Sequence, residues 1–339
     1  MTQLPFHTLD VFTDRVFGGN PLAVFPDATH LSTPLMQRIA REMNLSETVF
    51  LGPPGSGGDA RVRIFTPGVE VPFAGHPTVG AAVFLAGRMD ARPEEGTVEL
   101  VLEENVGPVP VEVRLRSGEA VSARFTTAVR PEHRPAPLGT AELAALVGLE
   151  EAEIGAGGGD GADGGTGAEP GEAPPPAGPG RAGGGAEAWP ALVPEAVSCG
   201  LPYLVVPVRS LAAVRRAALD LAAWRRLLSG HWADKVYLVC PEAEGEGVDV
   251  HVRMFAPGAG VHEDPATGSA AAALGGYLAA ADGRREGELA WTVEQGLEMG
   301  RPSLLRVEAE RRAGETVAVR VGGSAVPVLE GSMRIPHTA

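Results

Sequence analysis

The sequence predicts an α+β protein of two homologous halves, each with a central buried helix enclosed by strands. Three observations predict it. Val62-Arg63-Ile64-Phe65-Thr66-Pro67-Gly68 recurs as Val252-Arg253-Met254-Phe255-Ala256-Pro257-Gly258, with five of seven positions identical at an offset of 190. In both copies the strand and its Pro-Gly turn lead to a short polar cluster, at 72–78 and at 262–269. Each cluster then opens a helix made almost wholly of Ala, Gly and other apolar residues. A helix that is apolar all round must be buried, and small side chains suit close approach to a surrounding sheet. Two copies at this spacing indicate a duplicated domain, not a solenoid.

Taken in order, residues 6–12 alternate loosely and stop at the turn Thr13-Asp14, which reads as a strand. Gly18-Gly19-Asn20-Pro21 is a second turn, followed by a short apolar strand at 22–25. Thr33-Pro34 has the form of an N-cap with proline at the first helical position. Met36, Ile39, Ala40 and Met43 then continue at helical spacing to about residue 43. Strands are predicted at 48–51 and 60–65, the first apolar helix at 78–86, strands at 97–102 and 109–116, and a helix at 140–147. Later come a strand at 203–208, a helix at 212–228 and strands at 235–240 and 248–255. The second apolar helix covers 268–280, and the tail alternates as strands at 304–308, 317–321 and 331–335. This divides the chain into halves at 1–130 and 131–324, with the strand from about 325–339 returning to the first half.

Between the halves' elements lies a segment of different character. The chain of 339 residues holds 46 Gly and 30 Pro, and 14 Gly and 5 Pro of these fall within 155–185. No large apolar side chain stands between Ile154 and Trp189, so the segment cannot bury area to offset the ordering of its backbone. Residues 155–188 are therefore predicted to form a disordered surface insertion without chemistry of their own. Neither GxGxxG between strand and helix nor GxxxxGK[ST] occurs there, which argues against a nucleotide site.

Charge and cysteine content exclude further classes. A net charge of −15 gives no long-range attraction to nucleic acid or to an anionic membrane, and neither is expected as a partner. The opening MTQLPFHTLDVF lacks a basic region followed by an apolar one, and the uncharged runs are too short to span a bilayer, so a cytoplasmic protein is expected. Cys199 and Cys240 have neither a metal-ligand nor a disulfide spacing and read as buried free thiols. His262 with His76, Glu263 and Asp264 shows no metal-ligand spacing either, and no metal is expected.

The chemistry suggested by position is anion binding. Both polar clusters stand at helix N-termini, where unpaired N–H groups and the positive end of the dipole favour a negative ligand. A pseudo-two-fold would bring both N-termini to one cleft and hold a carboxylate-bearing small molecule without a cofactor.

Five separated motifs, in order, carry a resemblance. They are Asp10-Val11-Phe12-Thr13 with Gly19-Asn20-Pro21, Asn44-Leu45-Ser46-Glu47-Thr48, Ala74-Gly75-His76-Pro77-Thr78, Glu263-Asp264-Pro265-Ala266-Thr267-Gly268-Ser269-Ala270, and Gln295-Gly296 with Gly300-Arg301-Pro302-Ser303. Over nearly the whole chain, the insertion apart, the sequence resembles the PhzF-type phenazine biosynthesis family. The resemblance implies a diaminopimelate epimerase-like fold, in which each half is a strand barrel or strongly curved sheet and the site lies between them. It implies a cofactor-independent isomerase, similar to trans-2,3-dihydro-3-hydroxyanthranilate isomerase, acting on a small carboxylate, and a homodimer.

Related epimerases and proline racemases use two Cys, one per half. Here Ala74 stands at the first such position and the second cluster has no Cys, so a thiol pair is excluded. The resemblance makes Glu47 the proton carrier, with His76 and Asp264 assisting and Ser46, Gly75, Gly268 and Ser269 binding substrate. A carboxyl suits this work when an enclosed site raises its proton affinity. From the residues alone, Asp264 also reads as a helix cap, and Arg301 as either a carboxylate ligand or half of an ion pair. Two other functions stay open: an epimerase or racemase using Glu47 and Asp264, and a non-catalytic protein that binds a small acid.

Overall fold

The computed structural model describes residues 2–156 and 189–336. Residues 157–188, the bulk of the predicted insertion, lie outside the described residues. The boundary moves slightly, because Gly155 and Ala156 are ordered: Gly155 N–H donates to Pro207 O, and buried Ala156 bridges Leu192.

The first half runs β1 (Thr2–Val11), β2 (Asn20–Phe25), α1 (Thr33–Met43), β3 (Glu47–Gly52), β4 (Ala60–Phe65), β5 (Glu70–Val71), α2 (Gly75–Ala86), β6 (Glu95–Glu104), β7 (Gly107–Arg116) and β8 (Glu119–Thr126). The second runs β9 (Glu132–Pro135), α3 (Thr140–Val147), β10 (Glu195–Ser198), β11 (Pro202–Pro207), α4 (Leu211–Arg216), α5 (Leu221–Leu227), β12 (Val236–Cys240), β13 (Val250–Ala256), β14 (Val261–Asp264), α6 (Gly268–Ala281), β15 (Gly287–Gln295), β16 (Ser303–Arg312) and β17 (Glu315–Ile335).

Strand pairing gives the two halves one plan. In the first, β1 pairs antiparallel with β2, β2 parallel with β3, β3 antiparallel with β4, and β4 parallel with β6, then β7 and β8 follow antiparallel. In the second, β10, β11, β12, β13, β15, β16 and β17 repeat that series in the same senses. β17 belongs to both halves: its N-terminal part pairs with β16 and β8, and residues 325–335 pair with β1. Strands β1, β2, β3, β4, β6, β7, β8 and β17 thereby close into a barrel.

The barrel of the first half and the curved strand series of the second each wrap one apolar helix. α2 and α6 are buried along almost their whole length, and their small side chains admit the inward faces of the strands. The polar helix α1 packs outside with Met36, Ile39 and Ala40 against an aromatic cluster that includes Phe25 and Phe50. Among the described residues, no helix is long and apolar enough to cross a membrane. Both thiols are buried, and burial pushes each up to about 12.

Two predicted elements are corrected. The single helix at 212–228 is two helices, because Asp220 accepts from Ala222 and Ala223 N–H and so starts a new one. The Arg253 guanidinium meanwhile takes the carbonyls of Val214 and Ala217 at the end of α4. The separate strands at 317–321 and 331–335 are one 21-residue strand. Gly322 and Gly323 interrupt the alternation but continue the strand, because they pass where no side chain fits. A Cβ on Gly323 would lie 2.5 Å from Phe12 Cδ1, and one on Gly322 2.8 Å from Ala123 O. Strands β8, β10 and β15 carry too weak an alternation to stand out before their neighbours are known.

Candidate active site

The two central helices meet end to end. A Cβ built on Gly75 would lie 2.6 Å from Gly268 Cα, and one on Gly268 2.9 Å from Gly75 Cα. The glycines, expected as ligand contacts, thus first permit the helix starts to touch. Two positive dipole ends and two sets of unpaired N–H groups then share one place, which is unfavourable unless negative charge accompanies them. Glu47 and Asp264 stand beside that place, and a bound anion is favoured there.

Glu47 reaches this point through local structure. Asn44 ends α1 in the left-handed conformation (φ 50°, ψ 35°), with its N–H on Ala40 O, and the chain turns at once into β3. Glu47 is the first residue of that strand. Its carboxylate lies 3.4 Å from His76 Nδ1, in the first turn of α2. Burial and the neighbouring Asp264 hold the Glu47 carboxyl well above the usual carboxylate range. Burial lowers His76 to about 3, so its imidazole is neutral, and its Nε2 has no partner among the described residues. A hydrogen on Nδ1, facing Glu47, leaves Nε2 as a free acceptor.

Asp264 comes from the other half but is held largely by the first. Its Oδ1 accepts from Asn20 Nδ2 and Ser46 Oγ, both at 2.9 Å, and its Oδ2 accepts from Thr267 Oγ1 at 2.5 Å. Burial outweighs these hydrogen bonds and raises Asp264 to about 6. The capping reading of Asp264 is corrected, since α6 starts after Thr267 and Asp264 binds side chains only. Gln295 secures this segment from behind. Its Nε2 donates to Asp264 O at 2.7 Å and to Thr267 Oγ1 at 3.1 Å, and its Oε1 accepts Thr267 N–H. Ser269 is buried in the first turn of α6, its Oγ 2.6 Å from the Tyr203 hydroxyl.

The structure therefore brings together Glu47, His76, Asp264, Ser46, Gly75 and Gly268, with Ser269 one residue into the second helix. Arg301 does not join them: it donates to Asp10 Oδ1 at 2.6 Å and to Gly19 O at 3.0 Å, a structural pair. His262 is exposed, and Glu263 is engaged by Arg253 at 2.7 Å. Asn20, Thr267, Gln295 and Tyr203 are additions. The first three stood inside recognisable motifs without an assigned role, whereas Tyr203 reads only as one residue of an apolar strand.

Comparison with known proteins gives the family and the fold. Residues 9–162 and 180–331 match the family model described as phenazine biosynthesis-like protein. An uncharacterized isomerase of Mesorhizobium japonicum is 40% identical over 330 residues, covering 96% of this chain and 97% of that protein. The trans-2,3-dihydro-3-hydroxyanthranilate isomerase of Pseudomonas chlororaphis is 32% identical over 338 residues, covering 96% and 97%. The crystal structure of a PhzF-family protein from Bacillus anthracis superposes with a TM-score of 0.80 at 25% identity, over 99% and 100% of the two chains. The observed fold is the diaminopimelate epimerase-like fold expected from the sequence.

Proposed function

Since the chain belongs to the phenazine biosynthesis-like protein family, we propose that it is an isomerase in which Glu47 carries a proton between two carbons of a small carboxylic acid. One observation carries this reading: a carboxyl of raised proton affinity stands beside a neutral imidazole, where two helix N-termini meet. The Glu47 carboxylate takes a proton from a carbon of the substrate, a double bond shifts, and the same carboxyl returns the proton to a second carbon. The substrate changes in connectivity and not in composition. The helix N-termini bind the substrate carboxylate, His76 Nε2 accepts a hydrogen bond from an N–H or O–H group of the substrate, and Ser269 contributes its hydroxyl. Trans-2,3-dihydro-3-hydroxyanthranilate, named for the Pseudomonas relative, is the first acid to test.

Asp264 fits the part of a fixed anion better than that of a second catalytic acid. Three side-chain donors, from Asn20, Ser46 and Thr267, all point at its oxygens and favour the ionised form over the protonated one. This favours a shuttle by one carboxyl over an epimerase with two. Incubation with candidate acids in deuterated water tests the reading: deuterium entering at carbon, with a product of unchanged mass in ordinary water, is expected. Tight binding of an acid without any exchange would instead make the protein a binder.

The Glu47–Asp264 pair also sets the pH dependence. Proton abstraction uses the fraction of protein with Glu47 ionised, so kcat/KM rises with pH as the pair loses its last proton. Asp264 is one of the two causes that hold Glu47 up. Asp264→Asn removes that charge, and the rising limb is expected to move to lower pH. The same substitution turns an amide N–H toward existing donors and is expected to cost about 1–3 kcal/mol of stability. A limb that stays in place would show that Asp264 does not govern Glu47.

A further inference from the structure

Glu104, the last residue of β6, is buried and has no role in the proton shuttle. Its Oε1 lies 2.6 Å from Thr78 Oγ1, and the same Thr78 Oγ1 lies 2.8 Å from Ala74 O. A threonine hydroxyl has one hydrogen. Ala74 O is a carbonyl and can only accept, so one hydroxyl hydrogen satisfies both contacts only if Glu104 supplies a second. Its other oxygen, Oε2, is buried without a partner among the described residues. That is costly for a carboxylate and much less so for a neutral acid.

The other half of the molecule supplies an independent parallel. Gln295 ends β15 and faces Val252 in the pairing of β13 with β15. Val62 is the repeat counterpart of Val252, and Glu104 follows the pair Arg61↔Glu103 by one residue. Glu104 and Gln295 therefore occupy equivalent positions. Gln295 donates from its amide to the hydroxyl of Thr267, at the start of α6. In one half a permanently neutral side chain donates to a threonine at the start of the central helix, and in the other a glutamate stands in its place.

We propose that Glu104 is held as a neutral carboxylic acid that donates to Thr78 and thereby positions the first turn of α2, which carries Gly75 and His76. It is a positioning residue that acts through Thr78 and Ala74. Burial pushes its carboxyl up to about 8, in the same direction. Of the charged groups around it, Arg61 works against burial and favours the ionised form, but makes its hydrogen bonds elsewhere. Arg61 on β4 turns its guanidinium to Glu103 O and Asn105, and Glu103 turns to the backbone amides of Gly55, Ser56 and Gly58. On α2 it contacts Thr78. When the proton leaves, the carboxylate competes for the Thr78 hydrogen, the Ala74 carbonyl loses that bond, and the helix start that sets His76 against Glu47 loosens.

Glu104→Gln mimics the neutral acid and supplies the test. A carboxyl raised in the folded state, from 4.5 to about 8, loses stability for the wild type progressively as pH rises through that window. The Tm of Glu104→Gln is therefore expected to gain on the wild type from about pH 4.5 to about pH 8, and the gap to level off above. A Glu104→Gln variant less stable by a constant amount at every pH would overturn the proposal. If that variant does not fold, infrared spectra of Glu47→Gln decide: an un-ionised carboxylic acid band that persists at pH 7 and fades near pH 8 supports it, and its absence at pH 7 refutes it. The positioning role rests on the shuttle reading. There, kcat/KM of the wild type should fall above about pH 8, Glu104→Gln should abolish that fall, and Glu104→Gln should restore turnover lost in Glu104→Ala. An alkaline limb unchanged by Glu104→Gln would reject the positioning role even with the acid band present. The stability and infrared results hold whether or not Glu47 proves to be the proton carrier.

Discussion

Glu47→Gln is expected to lower turnover by about 10²–10⁴-fold, the range typical of a lost general acid–base group, while the protein stays folded. The side chain keeps its size, the pairing of β3 with β2 at Leu22↔Glu47 involves backbone only, and the close polar neighbour of the carboxylate is His76 Nδ1 at 3.4 Å. The substitution also removes a carboxyl that burial and Asp264 both disfavour as a charge. Stability should therefore hold or rise, which separates a catalytic loss from misfolding. The decisive measurement is the rate of deuterium entry at substrate carbon, alongside Tm. Exchange as fast as in the wild type would assign the proton to another group.

The second large effect is expected at Gly75. In Gly75→Ala the new methyl would meet Gly268 Cα at 2.6 Å, Gly268 C at 2.8 Å and Ser269 N at 2.9 Å. All three are backbone atoms, so no side chain can swing aside, and the helix starts must part. Overpacking of this kind costs about 1–3 kcal/mol, or more where the backbone cannot yield. The displacement also stretches the bonds of Ser46 and Asn20 to Asp264, because these link the two halves at the same place. A misplacement of about 1 Å can cost on the order of 10²-fold in rate. Gly52→Ala is the control, since nothing lies within 4 Å of its Cβ position. Equal denaturation midpoints and equal turnover for the two variants would show that the helix contact does not shape the site.

Most local decisions were legible beforehand. The repeat around Phe65 and Phe255 announced the duplication, and α3 has its predicted bounds of Thr140–Val147. Glu47 is singled out by the resemblance of Asn44-Leu45-Ser46-Glu47-Thr48 to the family, because a lone glutamate beside Ser46 carries no such signal. The errors have a common origin. Asp220 restarts a helix because α4 is ended by Arg253, which lies 36 residues from Ala217 along the chain. Gly322 and Gly323 look like a break until Ala123 and Phe12 are seen to fill the space beside them. Tyr203 gives no polar signal within its strand, yet its hydroxyl meets Ser269 across 66 residues.

By itself, the sequence determined the two-fold plan and the apolar central helices, since periodicity and turns act over a few residues, and its family resemblance named the acid–base candidates. Tertiary structure alone decided what each candidate is. It placed Gly75 on Gly268, gave Asp264 its partners Asn20 and Ser46 from the opposite half, and closed Arg301 into a pair with Asp10. It also raised Glu47 and Glu104 while lowering His76. The physical reason is that proton affinity depends on burial and on the nearest charges and donors. Those are set by residues far away in the chain, as Asn20 is for Asp264 at 244 positions.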